Sequence, residues 1–134
     1  MEEPEYISSA TLIVLGALLQ PGEVSSILKM RPSQAWRRGE VKSFGESPHE
    51  WGGWKRFLTA SQMKRPLPMQ LHYWARDLKE KAGAFSHLRA LGYHCALNCY
   101  VGTSETATIS LPAELQLEIG ALGLKLELNV FAGS

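Results

Sequence analysis

The chain predicts an α+β single domain, a largely antiparallel sheet with helices packed on one face, in the order β-α-β-β-α-β-β-α-β. Two patterns carry this reading: apolar residues recur at helical spacing through 71–88, and they alternate with period two through 93–101 and again through 124–130. Glycine and proline separate these segments, and hairpin-like neighbours replace the strict alternation of a parallel α/β fold. A length of 134 residues with 45% hydrophobic content suits one domain, 1–134, able to bury a core.

Residues 6–15, YISSATLIVL, are rich in β-branched and aromatic side chains and end at Gly16, which predicts a central, largely covered strand. In PGEVSSILKM, 21–30, Pro21 opens a short helix, Glu23 sits in its first turn, and Val24, Ile27 and Leu28 share one face. Pro32 stops that helix. QAWRRGEV then reads as a short extended piece closing at Gly39, followed by a polar stretch to His49. WGGWKRFLTA, 51–60, is the next strand.

From Met69 the residues Leu71, Trp74, Ala75, Leu78, Ala82, Phe85 and Leu88 form the stripe of one long amphipathic helix that Gly92 ends. Its other face carries Arg76, Asp77, Lys79, Glu80 and Arg89, a solvated face of mixed charge. Beyond it, Tyr93, Cys95, Leu97, Cys99 and Val101 point one way and His94, Ala96, Asn98 and Tyr100 the other. TATISL follows as a further strand after the turn at 102–105, and Pro112 opens a helix carrying Leu115, Ile119 and Leu122. In LKLELNVF, Leu124, Leu126, Leu128 and Val130 alternate with Lys125, Glu127 and Asn129: a half-buried strand and a plausible sheet edge, hence a route to a homo-oligomer.

Along this order the residues resemble a known family. The first strand ends in Gly16; Pro32, Ala35, Trp36, Gly39 and Glu40 follow a P-x-x-A-W-x-x-G-E pattern; Gly52 and Trp54 follow G-x-W; Leu111, Pro112 and Leu115 open a late helix before a terminal strand. These positions are similar to the bacterial domain of unknown function 4279. The chain departs from that pattern at Pro21-Gly22, where acidic residues are common, and at Ala113 ahead of Glu114. The resemblance spans nearly the whole chain and implies fold and domain limits; it carries no catalytic residues. Small single-domain proteins of this kind occur among immunity and accessory proteins of bacterial competition systems, which points towards binding by association only.

No enzyme motif stands out. His49, His72, His87 and His94 are scattered, with no H-E-x-x-H, and neither G-x-S-x-G nor a phosphate loop is present. His72 and His87 read as helix-surface residues, and Glu114 and Glu118, one turn apart, as solvated acids. If the segment is extended, Cys95 and Cys99 lie about 13 Å apart, too far for a disulfide, so they read as free buried thiols. No metal site and no cofactor is expected. No apolar run reaches membrane-spanning length, and Glu2, Glu3 and Glu5 stand where an export signal is positive, so a cytoplasmic location and no membrane partner are expected.

Charge is the most informative feature. The formal net charge is only +1, yet residues 29–65 hold nine basic side chains against three acidic ones. If they share a surface, Trp36, Arg37, Arg38, Trp51, Trp54, Lys55 and Arg56 form a candidate partner-binding patch. The alternative is structural: Trp36 buries its ring under the first helix, Arg37 and Arg38 point outward, and Gly39 makes the turn. The function expected is therefore a protein-binding module, an immunity protein that neutralises a toxin with an acidic patch by occlusion. A nucleic-acid-associated accessory protein using the basic segment is the alternative, weakened by the near-neutral total charge, and an enzyme of unknown chemistry is third.

Overall fold

In chain order the elements are β1 (Ile7–Gly16), α1 (Pro21–Leu28), β2 (Gln34–Trp36), β3 (Gly52–Arg56), α2 (Ala60–Met63), α3 (Leu67–Leu78), α4 (Ala82–Ala90), β4 (His94–Thr103), α5 (Ala113–Ala121) and β5 (Lys125–Ala132), seen in a computed structural model that describes residues 5–41 and 47–133. β1 is the middle of a five-stranded sheet ordered β2-β3-β1-β4-β5. Every pairing is antiparallel except β4 with β5, which α5 connects as a crossover.

The helices cover one face. Ala10, Leu12 and Val14 of β1, Trp54 of β3 and Leu97 of β4 are fully buried there against Leu71, Leu78, Phe85 and Leu88 of α3 and α4. Each large side chain so buried stabilises the fold by about 1.5–3 kcal/mol. Both cysteines lie on this face as free, buried thiols, as expected. His72 and His87 are exposed, also as expected.

The length mismatch between β1 and β3 creates a problem that α3 solves. β3 pairs only with Leu12 to Gly16, so on that side the leading half of β1 has no strand beside it. Gln70, fully buried, accepts from the Ala10 N–H at 2.8 Å and donates to the Ser8 carbonyl at 3.0 Å. One turn on, Trp74 donates its indole N–H to the Ala10 carbonyl at 2.9 Å. The same Gln70 amide reaches the carbonyls of Met63 and Arg65, tying the α2–α3 turn to the sheet. Two side chains of one helix thus replace a strand, and buried backbone groups stay paired.

Four expectations are corrected. Residues 106–111 form no strand: β1 and β5 already occupy both sides of β4, so the segment is left as the connection into α5, with Ile109 and Leu111 tucked against the core. The long helix is broken at 79–81 into α3 and α4, and Lys81 there donates to the Leu28 carbonyl at 2.7 Å, pinning the break to the end of α1. Its apolar stripe survives the break except at Ala82, which is exposed. The strand read over 51–60 stops at Arg56, because Thr59 caps α2 through a reciprocal pair of bonds with Gln62. Finally, β5 is not evenly half-buried: Leu124 and Leu126 are covered, Leu128 and Val130 are exposed.

Removing the Gln70 amide leaves Ala10 N–H and the Ser8 carbonyl buried without partners. Gln70→Leu is expected to lower stability by about 2–3 kcal/mol in urea unfolding; an unchanged midpoint would show that water reaches those groups instead. A second expectation concerns alkali. Burial pushes the Cys95 thiol up to about 11, with Arg89 opposing weakly, and the Cys99 thiol up to about 12, from an ordinary 9.0. The unfolded chain loses these protons first, so stability should fall as pH rises from about 9 towards 11, and Cys95→Ala with Cys99→Ala should flatten that fall.

Candidate functional site

The sheet face turned away from the helices is built from odd-numbered residues of β1 and their cross-strand partners. One row across it reads Trp36, Gly53, Leu15, His94, from β2 to β4. The next holds Gln34, Lys55, Ile13, Ala96 and Lys125. Ile13 and Ala96 are buried there without belonging to the helix-side core.

The two glycines of WGGW have separate jobs set by the pleat. On the helix side, a Cβ at Gly52 would lie 2.6 Å from the Leu19 carbonyl oxygen. On the open side, a Cβ at Gly53 would collide with the six-membered ring of Trp36, so glycine is what lets that indole lie against β3. The ring is fixed from three further directions. Its N–H donates to the Trp51 carbonyl at 3.0 Å, His49 stacks on it with centroids 4.7 Å apart and planes 19° from parallel, and the Lys55 ammonium sits 5.5 Å from its centroid.

His49 is delivered by the β2–β3 loop. Gly39, at φ +91°, makes the turn after Arg37 and Arg38. The loop then closes on itself, with Gly39 N–H to the His49 carbonyl at 2.8 Å and His49 N–H to the Glu40 carbonyl at 2.9 Å. Trp51, the residue before β3, is 45% exposed, and its ring lies 5.9 Å from that of His94 on β4. β1 separates β3 from β4, so these two side chains approach each other over its end.

Of the seven residues picked from the sequence, the structure gathers five on or beside this face: Trp36, Trp51 and Lys55 in the cluster, Arg37 and Arg38 exposed in the turn next to it. Trp54 and Arg56 belong elsewhere, because alternate residues of β3 face opposite sides. Trp54 is 0% exposed in the core and donates to the Ser25 hydroxyl at 3.0 Å. Arg56 donates to the Arg31 carbonyl at 2.7 Å and so braces the link between α1 and β2. Nor does Trp36 sit under the first helix; it occupies the opposite face of the sheet.

Three further basic residues of the segment, Lys29, Lys64 and Arg65, lie away from the patch. Lys29 borders a cleft against α3 and α4, and Lys64 and Arg65 flank Tyr6 and Ile7, at the far end of β1 from Trp36. Lys42 and Glu46, like Glu2 and Glu3, lie outside the described residues. Two imidazoles, His49 and His94, join the site although neither was picked as a partner-binding residue. Alternation through β4 already put His94 on the outward face; nothing local to His49 signals its stacking on Trp36, which depends on loop closure.

Among the described residues no group of three or more His, Cys, Asp or Glu side chains is placed to hold a metal. No curated protein and no solved structure matches the chain. One family model does, over residues 4–132, a span that includes the whole cluster. The chain belongs to the family described as domain of unknown function (DUF4279).

Proposed function

We propose that the chain is a protein-binding module that docks its partner on the Trp36–Trp51 end of the open sheet face. The observation that carries this reading is the Trp36 cluster itself: a prearranged aromatic surface, seated on Gly53 and held by Trp51, His49 and Lys55, with Trp51 standing out beside it. Rigid aromatic anchors with a cationic margin are the composition of interface hot spots, and preorganisation lowers the entropy cost of docking. Lys55, Arg37 and Arg38 suit a partner with an acidic patch, steering its approach.

Within this reading the module acts in the cytoplasm, and covering a toxin's working surface is how it neutralises it. Among the described residues no helix is long and apolar enough to cross a membrane. A nucleic-acid role draws less support, since Lys64 and Arg65 lie away from the indoles and give a phosphate backbone no continuous track. Enzymatic use of the thiols draws none, because burial holds both protonated at neutral pH.

Partner capture from nuclease-treated lysate of the native cell tests the reading. Trp51→Ala, and separately Arg37→Ala with Arg38→Ala, should reduce the retained partner about tenfold or more, while Lys79→Ala, in the break between α3 and α4 on the helix side of the sheet, should not. Retention that vanishes with nuclease and falls steeply with salt would replace it with the nucleic-acid reading. Gly53→Ala should act like the Trp51 change by unseating Trp36, with a shift in tryptophan emission and a stability loss of about 1–3 kcal/mol; full partner retention by this variant would remove Trp36 from the interface.

A further inference from the structure

β5 is an edge strand, and among the described residues no strand pairs with its outer side. It is eight residues long, holds no proline, and its charged side chains, Lys125 and Glu127, point to the open face. β2, at the other edge, has only three residues. On the helix side of β5, Leu128 is 53% and Val130 60% exposed, and on the open side Phe131 is 60% exposed beside Tyr100. Long apolar edges of this kind template further strand pairing.

The direction of the free backbone groups is set by one hydrogen bond. Gly133 donates its N–H to the Thr103 carbonyl at 3.1 Å, so the odd-numbered residues of β5 address β4. Backbone groups alternate sides along a strand, and those of Leu126, Leu128 and Val130 therefore point outward. The residues that need a partner strand are thus the same ones that need apolar cover.

We propose that β5 pairs with β5 of a second copy, antiparallel, about a two-fold axis at Leu128 normal to the sheet. That register sets Leu128 opposite its own copy and Leu126 opposite Val130, each a pair exchanging both backbone bonds. On the open face it sets Glu127 opposite Asn129 and Lys125 opposite Phe131, with no like charges facing. Moving the axis to Glu127 would oppose two carboxylates, a destabilising pair. Moving it to Leu126 would leave Val130 beyond the end of the paired segment. Of these three axes only the one at Leu128 keeps like charges apart and leaves both Leu126 and Val130 paired, so the strand is complementary to itself and a second copy is the occupant.

The assembly joins two five-stranded sheets into one, with both sets of helices on the same side. It leaves the Trp36 clusters at the two distant ends of a shared open face, so this inference is independent of the docking surface proposed for them.

Sedimentation of the full chain across a concentration series should show a monomer–dimer equilibrium. Leu128→Lys puts two ammonium groups opposite each other and should weaken the dimer by about tenfold or more. Leu128→Pro removes an outward N–H that β4 does not use, so it should give a monomer whose circular dichroism is unchanged. Leu128→Cys should form a disulfide-linked dimer on mild oxidation, since facing residues of this kind lie within bridging range and the native thiols are buried. Lys125→Cys, far from its own copy in this register, should not cross-link. A wild-type monomer throughout the series, or cross-linking at 125 in preference to 128, would overturn the proposal; a monomeric wild type that still captures its partner through Trp51 would overturn it while leaving the docking surface standing.

Discussion

The pairing of Ala10 with Gln70 and Trp74 is the constraint on which the remaining architecture hangs. A central strand twice the length of its neighbour must have its spare N–H and C=O groups satisfied in the core, where leaving each unpaired costs about 1–3 kcal/mol. Here a helix crossing at that height, with a glutamine and an indole one turn apart, meets the need. Once α3 is placed by those bonds, its buried side packs with α5, while α1 packs on α4 and β3. Gln70 also holds the α2–α3 turn, so the strand edge and the helix entry are one structural unit.

Because the helices are committed to one side, the other side of the sheet is open for use. What makes it more than a polar surface is the pair of glycines at the start of β3. One admits the Leu19 backbone on the core side and the other admits an indole on the open side, so a single dipeptide couples core packing to the geometry of the outer cluster. Trp36 is thereby part of the packing of the sheet and half-buried in it. The packing role of that residue is plain: its ring is seated on Gly53, His49 stacks on it and the Lys55 ammonium lies over it.

The candidate site was half legible in the sequence, and its errors have one cause. A run such as WGGWKR reads as a dense patch of aromatic and basic residues, yet a strand sends neighbours to opposite faces, so Lys55 reached the surface cluster while Trp54 went to the core and Arg56 to a brace under α1. Linear density overstates surface density wherever the period is two. His49 escaped notice because its place is decided by backbone bonds across a loop, which carry no side-chain signature.

Most element types, the core stripes of α3 and α4 and the alternation of β4 follow from local patterning, because period and turn chemistry act over a few residues. Strand order does not: that β5 would lie parallel to β4, and leave residues 106–111 as a connection, was decided by which strand won the free edge of β4. The same competition left Leu128 and Val130 exposed on a strand whose alternation predicts burial. Periodicity determines which residues share a face; only the packing of the whole chain determines whether anything covers it.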